Sequence, residues 1–201
     1  QELEFLSLVG AGAGAIGSKN GIFCNGANFS YRKQIFIESE DVFNTKIASG
    51  DDVFLMHYVK RKHPSSIVFA KDKDSIVTTL PKDTFKEFIN QRKRWAAKSI
   101  AYKDNSTIIA SLIVFLINIS VVLLLIFSFF NIEYLYYFIL VIASKAFVDI
   151  TFLMPVLKFF NRERLIKFIF PFEIIYSLYI IIIVIFSFTN SFQWKGRTYK
   201  R

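Results

Sequence analysis

The residues best suited to chemistry are two neighbouring carboxylates, Asp51 and Asp52. They stand where the apolar spacing of Val53, Leu55, Met56 and Val59 predicts an amphipathic helix. Acids at a helix start satisfy free amides and complement the dipole, so capping alone accounts for the pair. Adjacent positions do not share a helix face, which excludes the opposed carboxylates of a glycosidase. One of them can still act as a general base toward a hydroxyl within reach. A second group is Gln91-Arg92-Lys93-Arg94-Trp95. A guanidinium such as Arg94 suits phosphate oxygens, and the indole of Trp95 offers a broad apolar face to a sugar ring. The plain alternative is a basic flank with an interfacial tryptophan beside a membrane segment.

Other candidates carry less. Gly12-Ala13-Gly14-Ala15-Ile16-Gly17 spells G-x-G-x-x-G, but a dinucleotide site needs those glycines to open a helix. Ser18-Lys19-Asn20-Gly21 follows and breaks any helix within a turn, so this stretch is expected to be a flexible loop. Asp72-Lys73-Asp74 sits in a loop between expected strands, as solvated surface. Lys145 and Asp149 interrupt an apolar run four residues apart and are expected to pair along one helix face. His57, His63 and Cys24 show no metal-ligand spacing.

The elements that position these residues follow from pattern. Gly21–Cys24 reads as a buried strand stopped by the turn signal Asn25-Gly26, and residues 28–37 read as a helix with Phe29, Ile35 and Phe36 inward. A loop over 44–50 leads into the helix at Asp51. Ile67–Ala70 and Ile76–Thr79 are β-like, and a capping-box spacing at Thr84 and Glu87 opens a helix running to about Tyr102. Alternating strands and helices predict an α/β fold for residues 1–106. From Thr107 to Phe130 there are 24 residues without a formal charge, and two further apolar stretches span Ile132–Leu157 and Phe168–Thr189. Each is long enough to cross a hydrocarbon core of about 30 Å.

Composition agrees with this division. The chain has 201 residues, is 53% hydrophobic and contains 24 Phe. Its net charge of +9 is shared between 1–106 (16 Lys/Arg against 12 Asp/Glu) and 107–201 (9 against 4). Neither part is basic enough to demand nucleic acid. A single cysteine excludes an internal disulfide and suits a reducing compartment. The expected domains are 1–106, a membrane region over 107–193 with about three hydrophobic helices, and a basic tail over 194–201. With Arg92–Lys98 on the cytosolic side, three crossings would leave that tail outside, against the positive-inside tendency.

Three motifs in order make the chain recognisable. Cys24-Asn25-Gly26-Ala27-Asn28-Phe29-Ser30-Tyr31-Arg32 resembles an "NGAN-x-x-x-R" acceptor-side segment. Ser49-Gly50-Asp51-Asp52-Val53-Phe54-Leu55 is similar to "ED-x-x-L", with Asp51 at the Glu position. Gln91–Trp95 matches "Q-x-x-R-W". Together they resemble glycosyltransferase family 2, the inverting GT-A enzymes that include cellulose, chitin and hyaluronan synthases. Trp194-Lys195-Gly196-Arg197-Thr198-Tyr199 is similar to a tail of membrane-bound members.

The resemblance implies the acceptor-side, C-terminal part of a GT-A domain followed by transmembrane helices, inactive without its nucleotide-binding half. It implies Asp52 as general base, with Asp51, Asn25, Gly26, Gln91, Arg94 and Trp95 binding substrate. A nucleotide-sugar donor and a lipid-linked or saccharide acceptor would be the partners, with membrane lipid and without nucleic acid. A divalent metal, Mg²⁺ or Mn²⁺, would be held mainly by residues upstream. The setting implied is the bacterial cytoplasmic membrane, multi-pass, with the catalytic part facing the cytosol. The competing expectation is a non-enzymatic multi-pass scaffold or transporter subunit, which leaves the order of the three motifs unexplained.

Overall fold

The computed structural model describes residues 1–39, 50–99, 101–189, 192–194 and 197–199. These form helices α1 (Glu2–Gly17), α2 (Lys33–Glu38), α3 (Asp51–Lys62), α4 (Phe85–Ser99), α5 (Asn105–Ser128), α6 (Ile132–Phe159) and α7 (Ile169–Thr189). Short 3-10 turns lie at Gly26–Asn28 and Glu163–Phe168, and strands β1 (Phe192–Trp194) and β2 (Arg197–Tyr199) close the chain. The chain divides into two compact units, one of residues 1–110 with 190–201 and the other of residues 111–189.

The α/β expectation, and with it the GT-A assignment, is overturned. Among the described residues of 1–106 there is no strand. A strand exists only with a ladder partner, and the runs at 21–24, 67–70 and 76–79 find none among the described residues. Side chains satisfy the backbone of the first run instead. His57 Nε2 lies 2.9 Å from the Ile22 carbonyl oxygen and Thr107 Oγ1 lies 3.0 Å from it. The described strands are β1 and β2, an antiparallel pair that matches Phe192 with Tyr199 and Trp194 with Arg197. β1 lies beside α4 within the first unit.

The glycine-rich stretch is also corrected. It is not a loop but the second half of α1. Packing overrides the poor helix propensity of glycine here. Gly10 and Gly12 are buried, and a Cβ at Gly12 would meet Phe23 Cε2 at 3.2 Å and the Phe23 carbonyl oxygen at 3.4 Å. The glycine face therefore lets the 21–24 run approach the helix closely. Residues 28–37 do not form one helix: a 3-10 turn and the short α2 replace it, and Phe36 is exposed. Of the loop expected over 44–50, residues 44–49 lie outside the described residues.

The pattern-based helices hold. In α3, Val53, Leu55 and Met56 are buried. Asp51 and Asp52 occupy its first turn and Lys60, Arg61 and Lys62 its last, as the macrodipole favours. Thr84 Oγ1 accepts from the Glu87 amide at 3.2 Å, one half of the expected capping box. Asp104 caps α5 by accepting from the Thr107 amide at 2.9 Å.

In the second unit, α5, α6 and the segment Glu163–Phe188 are each long and apolar enough to cross a membrane. Val121 packs with Phe138 and Ile142, flanked by Leu124, Leu125, Leu135, Val141 and Ile174. Lys145 bonds to Asp149 at 2.8 Å, the expected i to i+4 pair, and also to the buried Glu173 of α7. Ser177 donates to Asn118 at 2.9 Å, both buried. These polar contacts tie α5, α6 and α7 together where unpaired groups would be costly.

Candidate active site

Asp52 is the point on which the motif segments converge. Gly50 turns the chain into α3 with φ 112°, a left-handed conformation that suits glycine. The turn places Asp52 half-buried in the first turn of the helix, its Oδ1 accepting from the Val53 amide at 2.9 Å. The 3-10 turn at Gly26–Asn28 comes directly against it: a Cβ at Gly26 would lie 2.9 Å from Asp52 Oδ2. That turn is held from inside by Asn25 Oδ1, which accepts from the Ala27 amide at 3.1 Å. From outside, Asn28 Nδ2 donates to the Ser75 carbonyl at 2.6 Å.

Helix α4 brings the third segment. Gln91, Arg94, Trp95 and Lys98 fall at i, i+3, i+4 and i+7, one helix face. The charges of Arg94 and Lys98 act on Asp52. Burial lowers the basicity of both side chains, and the nearby Asp52 carboxylate works against that loss in each. The stem of Lys98 lies over Gly50, where a Cβ would sit 3.0 Å from Lys98 Cδ and 3.2 Å from Phe54 Cε2.

Two acidic groups complete the surroundings. Burial, then the negative charge of Asp52, pushes the Cys24 thiol up to about 12, against the opposing pull of Lys98. Burial, Asp52 and Cys24 likewise raise the Tyr102 phenol. Tyr102 stands edge-on to both Phe54 and His57, with centroids 5.6 and 5.3 Å apart. Below this layer, Lys60 pairs with Asp104 at 2.8 Å, and Thr107 Oγ1 lies 2.8 Å from Asp104 Oδ1 and 3.1 Å from His57 Nε2. The Ile22 carbonyl can only accept, so the His57 proton sits on Nε2.

The expected site residues fall into distinct places. Gly26, Asp52 and Arg94 share the Asp52 neighbourhood, while Asp51 is exposed and its charge reaches Lys98 more weakly than that of Asp52. Gln91 and Trp95 are organised by a residue the sequence pattern passes over. Arg92 is buried, with Nε and Nη2 bonded to Glu4 of α1 at 2.8 and 2.6 Å. Its Nη1 donates to Gln91 Oε1, and its guanidinium lies 4.4 Å from the ring centroids of both Phe88 and Trp95. One face of the Trp95 indole is therefore covered by Arg92. Lys98, Cys24 and Tyr102 were also missed as site neighbours; for Lys98 the signal was its place one turn beyond Arg94.

Asp72, Lys73 and Asp74 are exposed, with Asp72 Oδ1 accepting from the Asp74 amide. Among the described residues no three His, Cys, Asp or Glu side chains gather as a metal site.

A half-buried carboxylate beside two cations can take a proton from a hydroxyl while an anion is held nearby, which is the equipment of a group-transfer enzyme. The chain belongs to Glycosyl transferase family group 2, whose sequence profile matches residues 12–190. No curated protein and no solved structure matches it. Glycosyl transfer is thus its class of chemistry, with a sugar donor and an acceptor as its substrates in general.

Proposed function

We propose that this protein is a membrane-bound, inverting glycosyltransferase. It moves a hexosyl-type sugar from a nucleotide-sugar to a lipid-linked or polysaccharide acceptor at the cytosolic face of the bacterial cytoplasmic membrane. The observation that carries the reading is the setting of Asp52, against Gly26 and within the field of Arg94 and Lys98. The acceptor oxygen attacks the anomeric carbon as the bond from that carbon to the diphosphate oxygen breaks. The acceptor proton passes to Asp52, and the electron pair leaves on the nucleoside diphosphate. Arg94 holds the diphosphate; Asp51, Asn25, Gly26 and Gln91 line the substrate, and the side of Trp95 away from Arg92 carries the acceptor sugar. Three membrane-length helices support a membrane setting, and a hydrophobic anchor suits an acceptor that is itself lipid-linked or extruded. A divalent metal, Mg²⁺ or Mn²⁺, would neutralise the leaving diphosphate; among the described residues no three His, Cys, Asp or Glu side chains gather to hold it.

The test is sugar-nucleotide turnover by the complete gene product in membranes, over common UDP- and GDP-sugars, wild type beside Asp52→Asn. Release of nucleoside diphosphate that is lost in Asp52→Asn, in protein that inserts normally, is the expected result. Equal turnover in the variant removes Asp52 from the mechanism, and no turnover by wild type with acceptor-containing membranes refutes the transferase.

A further inference from the structure

We infer that Lys98 is a second anion-binding residue of this site, taking the donor's diphosphate alongside Arg94. The inference rests on the transferase reading and extends it to a residue outside the Q-x-x-R-W motif.

The ordinary role for a lysine in the last turn of a helix is to complement its C-terminal partial charge, with the ammonium in water. Lys98 is placed differently. Its stem crosses Gly50, at a contact that any Cβ there would tighten to 3.0 Å, and beside Phe54. An aliphatic stem pinned in this way aims the ammonium, as long cationic side chains do when apolar surface covers their methylenes. The charged groups acting on that ammonium are Asp52, Arg94, Asp51 and Cys24, in falling order. Arg94 and Lys98 are i and i+4 on α4, so their charges stand one turn apart on the face that carries Gln91 and Trp95.

Two like charges held close and partly desolvated repel each other. The free protein offsets this with the carboxylates of α3. That balance changes in the reaction. As the anomeric bond breaks, negative charge builds on the terminal phosphate oxygens of the leaving group, and Asp52 loses its own charge by accepting the acceptor proton. The two cations are then matched by the diphosphate rather than by Asp52, so their attraction to it strengthens toward the transition state. Arg94 supplies planar, bidentate recognition and Lys98 a compact charge, the usual division of labour between these side chains at phosphate.

The experiment uses the complete gene product in membranes. It compares wild type, Lys98→Gln, Lys98→Met (which keeps an apolar stem over Gly50) and Lys98→Arg. Donor KM, kcat, product inhibition by UDP or GDP, and direct UDP or GDP binding are measured in each. Lys98→Gln and Lys98→Met should raise donor KM and the inhibition constant of the nucleotide by about 10- to 100-fold. Acceptor KM should stay within about threefold, and Lys98→Arg should recover most of the loss. Unchanged nucleotide affinity in both neutral variants overturns the inference while leaving the transferase reading intact. If Lys98 served only as a counter-ion to Asp52, its removal would shift the acid limb of kcat/KM to higher pH with nucleotide affinity intact; that result overturns it too. Wild type that neither binds nucleotide nor turns over a sugar-nucleotide removes the transferase reading itself.

Discussion

Replacing Gly26 by alanine tests the placement of Asp52 without touching its chemistry. The new Cβ would start 2.9 Å from Asp52 Oδ2, 3.4 Å from Cγ and 3.6 Å from its Cβ. Restoring ordinary contact requires the carboxylate to move by about 0.5 Å. The carboxylate is the end of a short side chain whose other oxygen is bonded to the Val53 amide, so it moves by rotating out of its rotamer well. Such a rotation costs about 0.5–1.5 kcal/mol. A misplacement of about 1 Å can cost roughly a hundredfold in rate, so half that distance predicts a fall of about tenfold in kcat. Stability should not fall with it. Gly26 is exposed and its φ is outside the left-handed region, where alanine loses less chain entropy on folding. The assay is initial-rate turnover by the full-length protein in membranes, with the thermal midpoint measured on the same preparations. Donor KM should stay within about twofold. A kcat equal to wild type would refute the claim that Gly26 leaves room for a working base.

Three further outcomes follow from the surroundings. Glu4→Ala leaves the buried Arg92 without its bidentate partner; breaking such a pair costs about 3 kcal/mol or more, read as a lower thermal midpoint in detergent, and Glu4→Leu with Arg92→Met should recover part of it. His57 is held neutral chiefly by burial, which lowers its folded pKa below the unfolded value near 6.5. Its contribution to stability is therefore complete above that value and lost as pH falls through it toward the folded pKa. Thermal midpoints between pH 5 and 8 should show this slope, and His57→Gln should flatten it. Cys24, with its thiol near 12, should alkylate at pH 8 slower than in denatured protein by about two to three orders of magnitude. Asp52→Asn should speed that alkylation, and indifference to the substitution would separate the two residues.

Legibility in the sequence followed the kind of physics each element depends on. The long apolar runs of α5, α6 and α7 carry their information locally, and their limits fell within a few residues of expectation. The same holds for α3, with its 3-and-4 spacing, and for the Thr84 cap of α4. The 21–24, 67–70 and 76–79 runs were misread because β propensity describes a residue's fit to a ladder, and no composition reveals whether a ladder partner exists. Gly10–Gly17 failed for the converse reason: the advantage of glycine there lies in contact with Phe23, which is distant in pattern. At the site, Asp52, Gly26 and Arg94 were visible as residue types in order. Arg92 was hidden because its partner, Glu4, lies 88 residues away.

The placing of the terminal hairpin has a consequence for the path of the chain through a bilayer. β1 lies beside α4, and both belong to the unit that also holds the cap of α5. Everything between Asp104 and Phe192 is thus a loop that leaves one body and returns to it. A closed excursion of this kind passes through any sheet an even number of times. Three helices have the length and apolarity to cross, and an excursion that starts and ends on one side of a bilayer uses an even number of them as crossings.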